Sequence, residues 1–400
     1  MYINCTFNKK IEMGFKLKII VIFLFCNTIF GQEIATIQKI KINSKILNQE
    51  REILIYTPQS YTENTLVFYD VIYVFDAQNR EFFDFTHAAI SFISNATKKY
   101  IVVGITSPYI ENLDYARNND MLPLPKHENQ KEFYNGYNGN ADNFLNYIKN
   151  EVMPFVNSNF RTRPYNLAIG HSLSASFILY SMFKEPNLFN DYFAISPNLA
   201  YDKESLATMF LDFNSQNINN QTFLYLSNAN EGENYWKEWL TARNKVYSFL
   251  EKTKDLDQIN VVIKKFPNET HWSTFAPSFI AGFSEYFKYL ENKKIKYSDE
   301  TYEITLLVKV LNKDDEVFVT GNQKALGDWN PNSIKMNYKS EFEREINLKV
   351  KTPLELKFTR GSWETEGLVK NINDYVNLYI NPIKQHKFEF EILEWADQME

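Results

Sequence analysis

The amino-acid sequence predicts a doubly wound α/β domain with a mostly parallel sheet, followed by an all-β sandwich. Short β-branched runs alternate with amphipathic stretches from about residue 34 to 291, the order that gives a parallel sheet with helices on both faces. Runs such as Val71-Ile72-Tyr73-Val74-Phe75 are apolar at every position, as strands covered on both sides must be. Past a polar stretch at 293–300 the helical pattern stops and only short alternating runs remain, the mark of a β-sandwich of about 100 residues.

Taken in order, the N-terminus comes first. Lys16 and Lys18 precede an apolar run over 19–30, and Gly31-Gln32 offers a small-residue cleavage point. Positive residues, a short apolar core and a small residue make a signal peptide at 1–31. The run is too short for a comfortable membrane span. The expectation is an exported protein, periplasmic or extracellular, with no stable membrane span. Cys5 and Cys26 both fall in this segment, so the mature chain is expected to have no disulfide, no thiolate nucleophile and no cysteine metal site.

The α/β domain is assigned to 32–295. Its strand candidates are 53–57, 71–75, 100–105, 165–169, 192–195, 223–226 and 261–266, all β-branched or aromatic in character. Helical patterns fill 141–159, 173–184, 235–252 and 277–292. The sandwich is assigned to 300–396, with alternating runs at 302–310, 316–320, 342–350, 354–359, 376–380 and 387–393. The net charge is −6 and no long basic run follows residue 18, which argues against a nucleic-acid partner. With 25 Tyr and 33 Phe among 400 residues, the chain has rings for sizeable cores and for sugar or aryl surfaces.

The sharpest chemical feature is Leu167-Ala168-Ile169-Gly170-His171-Ser172-Leu173-Ser174-Ala175. A strand ends at Ile169 and a helix begins after Ser172. A tight strand-to-helix turn of this kind pushes a serine hydroxyl outward as a nucleophile. Serine needs a base near neutral pH, and histidine supplies it. Of the five histidines, only His271 follows Ser172 within the α/β domain. It sits just past a strand end, where active-site loops of such sheets lie. The acid should follow the strand 223–226, where Glu231 is the first choice and Glu233 the reserve. A carboxylate there holds the imidazole tautomer and stabilises imidazolium. An oxyanion hole needs two backbone donors. One is expected at Leu173, at the helix N-terminus, and the other in the loop after 71–75, at Ala77. Trp272, Trp236 and Asn198 are expected to line the pocket.

These residues, together with Ile72-Tyr73-Val74-Phe75-Asp76-Ala77, Ala116-Arg117-Asn118-Asn119-Asp120-Met121-Leu122-Pro123, Ile195-Ser196-Pro197 and Glu269-Thr270-His271, give the domain its resemblance. It resembles the esterase family that takes in esterase D, feruloyl esterases and enterobactin/bacillibactin-type siderophore esterases. The resemblance implies the α/β-hydrolase fold and carboxylic-ester hydrolysis through an acyl-enzyme, with no metal and no cofactor. Ala77 and Ser174-Ala175 depart from the glycines usual there.

In the second domain, Val317-Phe318-Val319-Thr320-Gly321-Asn322, Leu326-Gly327-Asp328-Trp329-Asn330-Pro331 and Leu356-Lys357-Phe358-Thr359-Arg360-Gly361-Ser362-Trp363 resemble the starch-binding type of carbohydrate-binding module. That implies an immunoglobulin-like sandwich, with Trp329 and Trp363 as stacking platforms for a glycan. The expected substrate is a small-molecule or polysaccharide ester, with a carbohydrate-linked acyl ester leading. A siderophore trilactone is the second reading. The third is a non-catalytic glycan-binding protein with a retired hydrolase domain.

Overall fold

The computed structural model describes residues 35–94, 98–108, 116–127, 139–252 and 258–398. The expected signal peptide at 1–31, with Cys5 and Cys26, lies outside the described residues. Eight strands form the first sheet: β1 (Thr36–Ser44), β2 (Gln49–Thr57), β3 (Tyr69–Val74), β4 (Tyr100–Ile105), β5 (Thr162–His171), β6 (Asp191–Ile195), β7 (Thr222–Asn228) and β8 (Ile259–Lys265). Their order is β1-β2-β4-β3-β5-β6-β7-β8. β1 pairs antiparallel with β2, and β2 with β4; all the remaining pairs are parallel. This is the α/β-hydrolase sheet.

The period-two rule of a strand splits the core in two. Val71, Tyr73 and Phe75 face one apolar layer, while Ile72 and Val74 face the other. Every residue of β3 and β4 is buried, which is why their sequences are apolar without alternation. Helices cover both faces: α1 (Arg80–Ile93), α2 (Ala116–Met121), α3 (Ala141–Tyr147), α4 (Met153–Asn159), α5 (Leu173–Lys184), α6 (Tyr201–Leu211), α7 (Lys237–Lys252) and α8 (Phe275–Asn292).

The continuous helix expected over 141–159 is two helices joined by a π turn at Ile148–Val152. Pro154 supplies the reason. It has no N–H to donate and its ring crowds the preceding turn, so the wider turn absorbs the defect. β1, α1, α2 and α6 lie outside the elements the sequence pattern predicts. α6 opens with Asp202, Lys203 and Glu204 all left-handed, a conformation L-residues resist. Asp202 is buried there and accepts the N–H groups of Lys126 and His127 at 2.9 and 3.1 Å.

The sandwich comprises β9 (Tyr302–Lys309), β10 (Phe318–Gly321), β11 (Ile334–Lys335), β12 (Asn337–Ser340), β13 (Glu343–Val350), β14 (Leu354–Thr359), β15 (Gly367–Val369), β16 (Leu378–Ile380) and β17 (Lys387–Trp395). Its two sheets run β11-β10-β14-β16 and β12-β13-β9-β17-β15. Between them lie Leu306, Val308, Val319, Leu356, Phe358 and the fully buried Trp395.

The sandwich docks at the edge where the parallel strands begin. Leu66 and Val67, just before β3, pack against the sandwich core. Asn373 donates its N–H to Asn64 and its side-chain amide to Glu63, both at 2.7 Å. Arg163, at the start of β5, pairs with Glu355, and the Tyr297 hydroxyl donates to the Asn322 carbonyl. Between the two domains lies a cleft of about 1130 Å³, bordered by Asp70, Lys98, Arg163, Asp191, Lys293 and Tyr379. It lies at the opposite edge of the sheet from Ser172, which follows the C-terminus of β5.

Candidate active site

Ser172 sits between β5 and α5 with φ 60° and ψ −119°. Holding a non-glycine residue there costs about 1–3 kcal/mol, so the surroundings must enforce it. Gly170 permits the turn: a Cβ there would fall 2.5 Å from the Ser174 carbonyl. The Ser172 N–H donates to the Ile195 carbonyl at 2.9 Å, tying the elbow to β6. Ser174, the departure noted in the sequence, closes the turn from inside. Its hydroxyl accepts the His171 N–H and donates to the His171 carbonyl, both at 2.9 Å.

His271 follows β8 on a short loop and is buried. Its Nδ1 lies 2.7 Å from Glu231 Oε1. The Glu231 carboxylate accepts that proton, so Nε2 carries the lone pair. Nε2 is buried and has no hydrogen-bond partner in the protein. The loop itself is pinned at both ends of the residue. The His271 N–H donates to the Tyr235 hydroxyl, and its carbonyl lies 2.8 Å from His171 Nε2. A carbonyl only accepts, so His171 carries its proton on Nε2. His171 joins the elbow to the histidine loop, with the two imidazoles 4.6 Å apart. Burial pushes the His171 pKa down to about 4, with further lowering from His271, so His171 is neutral at pH 7.

Glu231 is fully buried, whereas Glu233, the reserve acid, is exposed. Burial raises the Glu231 carboxyl, but the lowering influences, led by the hydrogen bond from His271, outweigh it and hold the group below the usual range. Arg243 Nη1 lies 3.8 Å from its second oxygen and donates to the Glu231 backbone carbonyl at 2.8 Å.

Around His271 stand Trp236, Trp239 and Trp272, with ring centroids 4.9, 5.4 and 5.2 Å away. Trp272 is 81% exposed and offers an aromatic surface beside the imidazole. Asn198 is buried, and its side chain accepts the Ala200 N–H at 3.0 Å.

Leu173 opens α5, so its N–H has no partner within the helix. Ala77 is not placed as expected. Its N–H donates to the Ile105 carbonyl at 3.0 Å, and its methyl is fully buried against Gly104. A donor already committed to the sheet is not free for an oxyanion. The next residue, Gln78, has no bond to its N–H among the described residues. That distinction depends on which way each peptide faces, which residue type does not encode.

In the sandwich, the two loops that carry Trp329 and Trp363 adjoin. The Thr359 hydroxyl donates to the Pro331 carbonyl at 2.5 Å. Trp329 is half-buried with φ 63°, and Trp363 is 41% exposed. Among the described residues, no group of three or more His, Cys, Asp or Glu could hold a metal. No described helix is long and apolar enough to cross a membrane.

The family model described as "Putative esterase" matches residues 44–305, and the one described as "Starch binding domain" matches 301–373. The chain is similar to the ferri-bacillibactin esterase BesA of Bacillus subtilis (strain 168). The two are 27% identical over 203 residues, which is 48% of this chain and 69% of that protein. Among solved structures it is similar to the BES protein from Bacillus cereus, with TM-score 0.51 and 23% identity over 64% of this chain and 97% of that one. It is also similar to the siderophore hydrolase EstA from Aspergillus nidulans, with TM-score 0.52 and 20% identity over 64% and 95%. At those identities the structural likeness is one of fold.

Proposed function

The chain belongs to the esterase family and is a carboxylic-ester hydrolase, and on that premise we propose that Ser172, His271 and Glu231 form a triad working through an acyl-enzyme. The observation that carries this reading is the buried 2.7 Å bond from His271 Nδ1 to Glu231, which leaves Nε2 unbonded beside the elbow. Ser172 Oγ attacks the ester carbonyl carbon and its proton passes to His271 Nε2. The negative oxygen collects the Leu173 N–H and, in place of the Ala77 first expected, the Gln78 N–H. Imidazolium, stabilised by Glu231, returns the proton to the departing alkoxide. Water then repeats the sequence on the acyl-serine, releasing the acid and restoring the hydroxyl. A fluorophosphonate probe tests the assignment. Labelling at Ser172 that disappears in Ser172→Ala is the expected result; an unlabelled wild type overturns it.

The proposed substrate is an acyl ester carried on, or held near, a carbohydrate. Support comes from the docked starch-binding-type sandwich, where Trp329 and Trp363 lie on adjoining loops. A siderophore ester is the second reading, favoured by the likeness to BesA. Side-by-side turnover of an acylated oligosaccharide and a catechol trilactone separates the two. The apolar run over 19–30, after Lys16 and Lys18, supports the further proposal that the chain is exported; cell fractionation tests it.

A further inference from the structure

The loop after β3 is organised around one buried carboxylate, and its first N–H, from Phe75, donates to the Ile169 carbonyl of β5 at 3.0 Å. Asp76 is 1% exposed and left-handed at φ 62°. Its two oxygens accept Arg117 Nε at 2.8 Å and Arg117 Nη2 at 2.6 Å, a two-point clamp. Gln78 Nε2 donates to the same carboxylate at 2.9 Å, and Gln78 Oε1 accepts the Ser107 N–H at 3.0 Å. Ser107 is itself anchored, its hydroxyl donating to Asp120 at 2.8 Å. Asp120 in turn receives Arg51 through two bonds of 2.7 Å.

A bare carboxylate next to a forming oxyanion would oppose it. The Arg117 guanidinium removes that opposition, because a bidentate pair is close to neutral at a distance. What remains is rigidity: a left-handed residue and a committed Ala77 N–H, with Gln78 bonded at both ends of its side-chain amide. Nothing in this arrangement requires Asp76 or Arg117 to touch substrate.

Building on the reading of Ser172 as nucleophile, we propose that Asp76, clamped by Arg117, is the positioning residue that sets the Gln78 N–H against the Ser172 elbow. The pair builds the oxyanion hole without being part of it.

The test uses the full chain, an activated p-nitrophenyl ester and the matching thionoester. Sulfur is larger and a weaker hydrogen-bond acceptor than oxygen, so a well-set hole discriminates against the thionoester. In Asp76→Asn the expected result is a kcat lower by roughly 10²-fold, a KM within about twofold and a collapsed preference for oxygen over sulfur. Labelling at Ser172 should still reach one equivalent. Arg117→Lys, which keeps the charge but not the two-point clamp, should shift both readouts in the same direction by less, and it decides the matter if Asp76→Asn does not fold. A variant whose melting temperature falls while the oxygen-to-sulfur preference stays at the wild-type value overturns the proposal and leaves a structural role. Failure of the wild type to label or turn over any ester overturns the nucleophile assignment, and this proposal with it.

Discussion

At the edge where the parallel strands end, the charged groups are arranged so that one imidazole nitrogen stays unbonded. Glu231 and His271 are both buried and bonded to each other, yet His271 Nε2 has no partner. At the edge where the strands begin, the charged groups are gathered into ion pairs. Lys98 Nζ lies 2.6 Å from Asp70, and Arg163 bridges Asp70 and Glu355. Asp191 takes the Tyr286 hydroxyl and the Phe223 N–H, with Lys293 3.6 Å away. Both edges carry buried ions, but at the first the strained Ser172 stands beside an imidazole nitrogen with no partner. Buried charge alone therefore does not mark an active site in this molecule; an unpaired atom beside a strained residue does.

That contrast breaks most visibly if catalytic substitutions cost stability or docking substitutions cost turnover. Ser172→Ala and His271→Ala should each lower kcat by about 10³-fold or more, with the denaturation midpoint near that of wild type. Glu231→Gln should cost roughly 10³-fold, because an amide can present the wrong partner to Nδ1 and favour the wrong tautomer. Steady-state kinetics measures both. At the other edge, Lys98→Met leaves Asp70 buried with less compensation and should cost about 1–3 kcal/mol of stability, read by urea denaturation, while kcat stays at the wild-type value.

The smallest effect concerns pH. His171 is held neutral by burial, with a folded-state pKa near 4 against an ordinary 6.5. Above 6.5 it is neutral whether folded or not. As pH falls below 6.5 the unfolded chain takes up a proton that the folded chain refuses, so stability is lost until about pH 4. At 1.36 kcal/mol per pH unit this is about 2 kcal/mol between pH 6.5 and 5. Stability curves of wild type and His171→Gln should converge by that amount over this interval. Parallel curves would show that His171 is not the group responsible.

Much of this was legible in the sequence because it depends on local pattern. The buried strands announce themselves by apolar runs, and the elbow by Gly170 and Ser172 between a strand and a helix. His271 followed from chain order, and Glu231 from its place after β7. What escaped depends on tertiary partners. β1 is an edge strand with Lys39 and Lys41 turned to solvent, so its pattern is too polar to stand out. Whether Ala77 or Gln78 offers a free N–H is decided by the Ile105 carbonyl on the neighbouring strand. The role of His171 needed a carbonyl one hundred positions away. The Arg117 and Asp120 motif was visible as part of a resemblance, but its partners Asp76 and Arg51 come from other strands and loops.

The seat of the sandwich has a consequence for how such an enzyme works on a solid or polymeric surface. β5 runs for ten residues, roughly 30 Å at full extension, from the docking edge to the serine. On the proposed reading, a chain moored through its sandwich would carry its catalytic mouth at the far edge of the sheet from the domain that moors it. It would then clip esters on neighbouring strands or on molecules drifting past, and the grip would set how long it lingers rather than which bond it cuts.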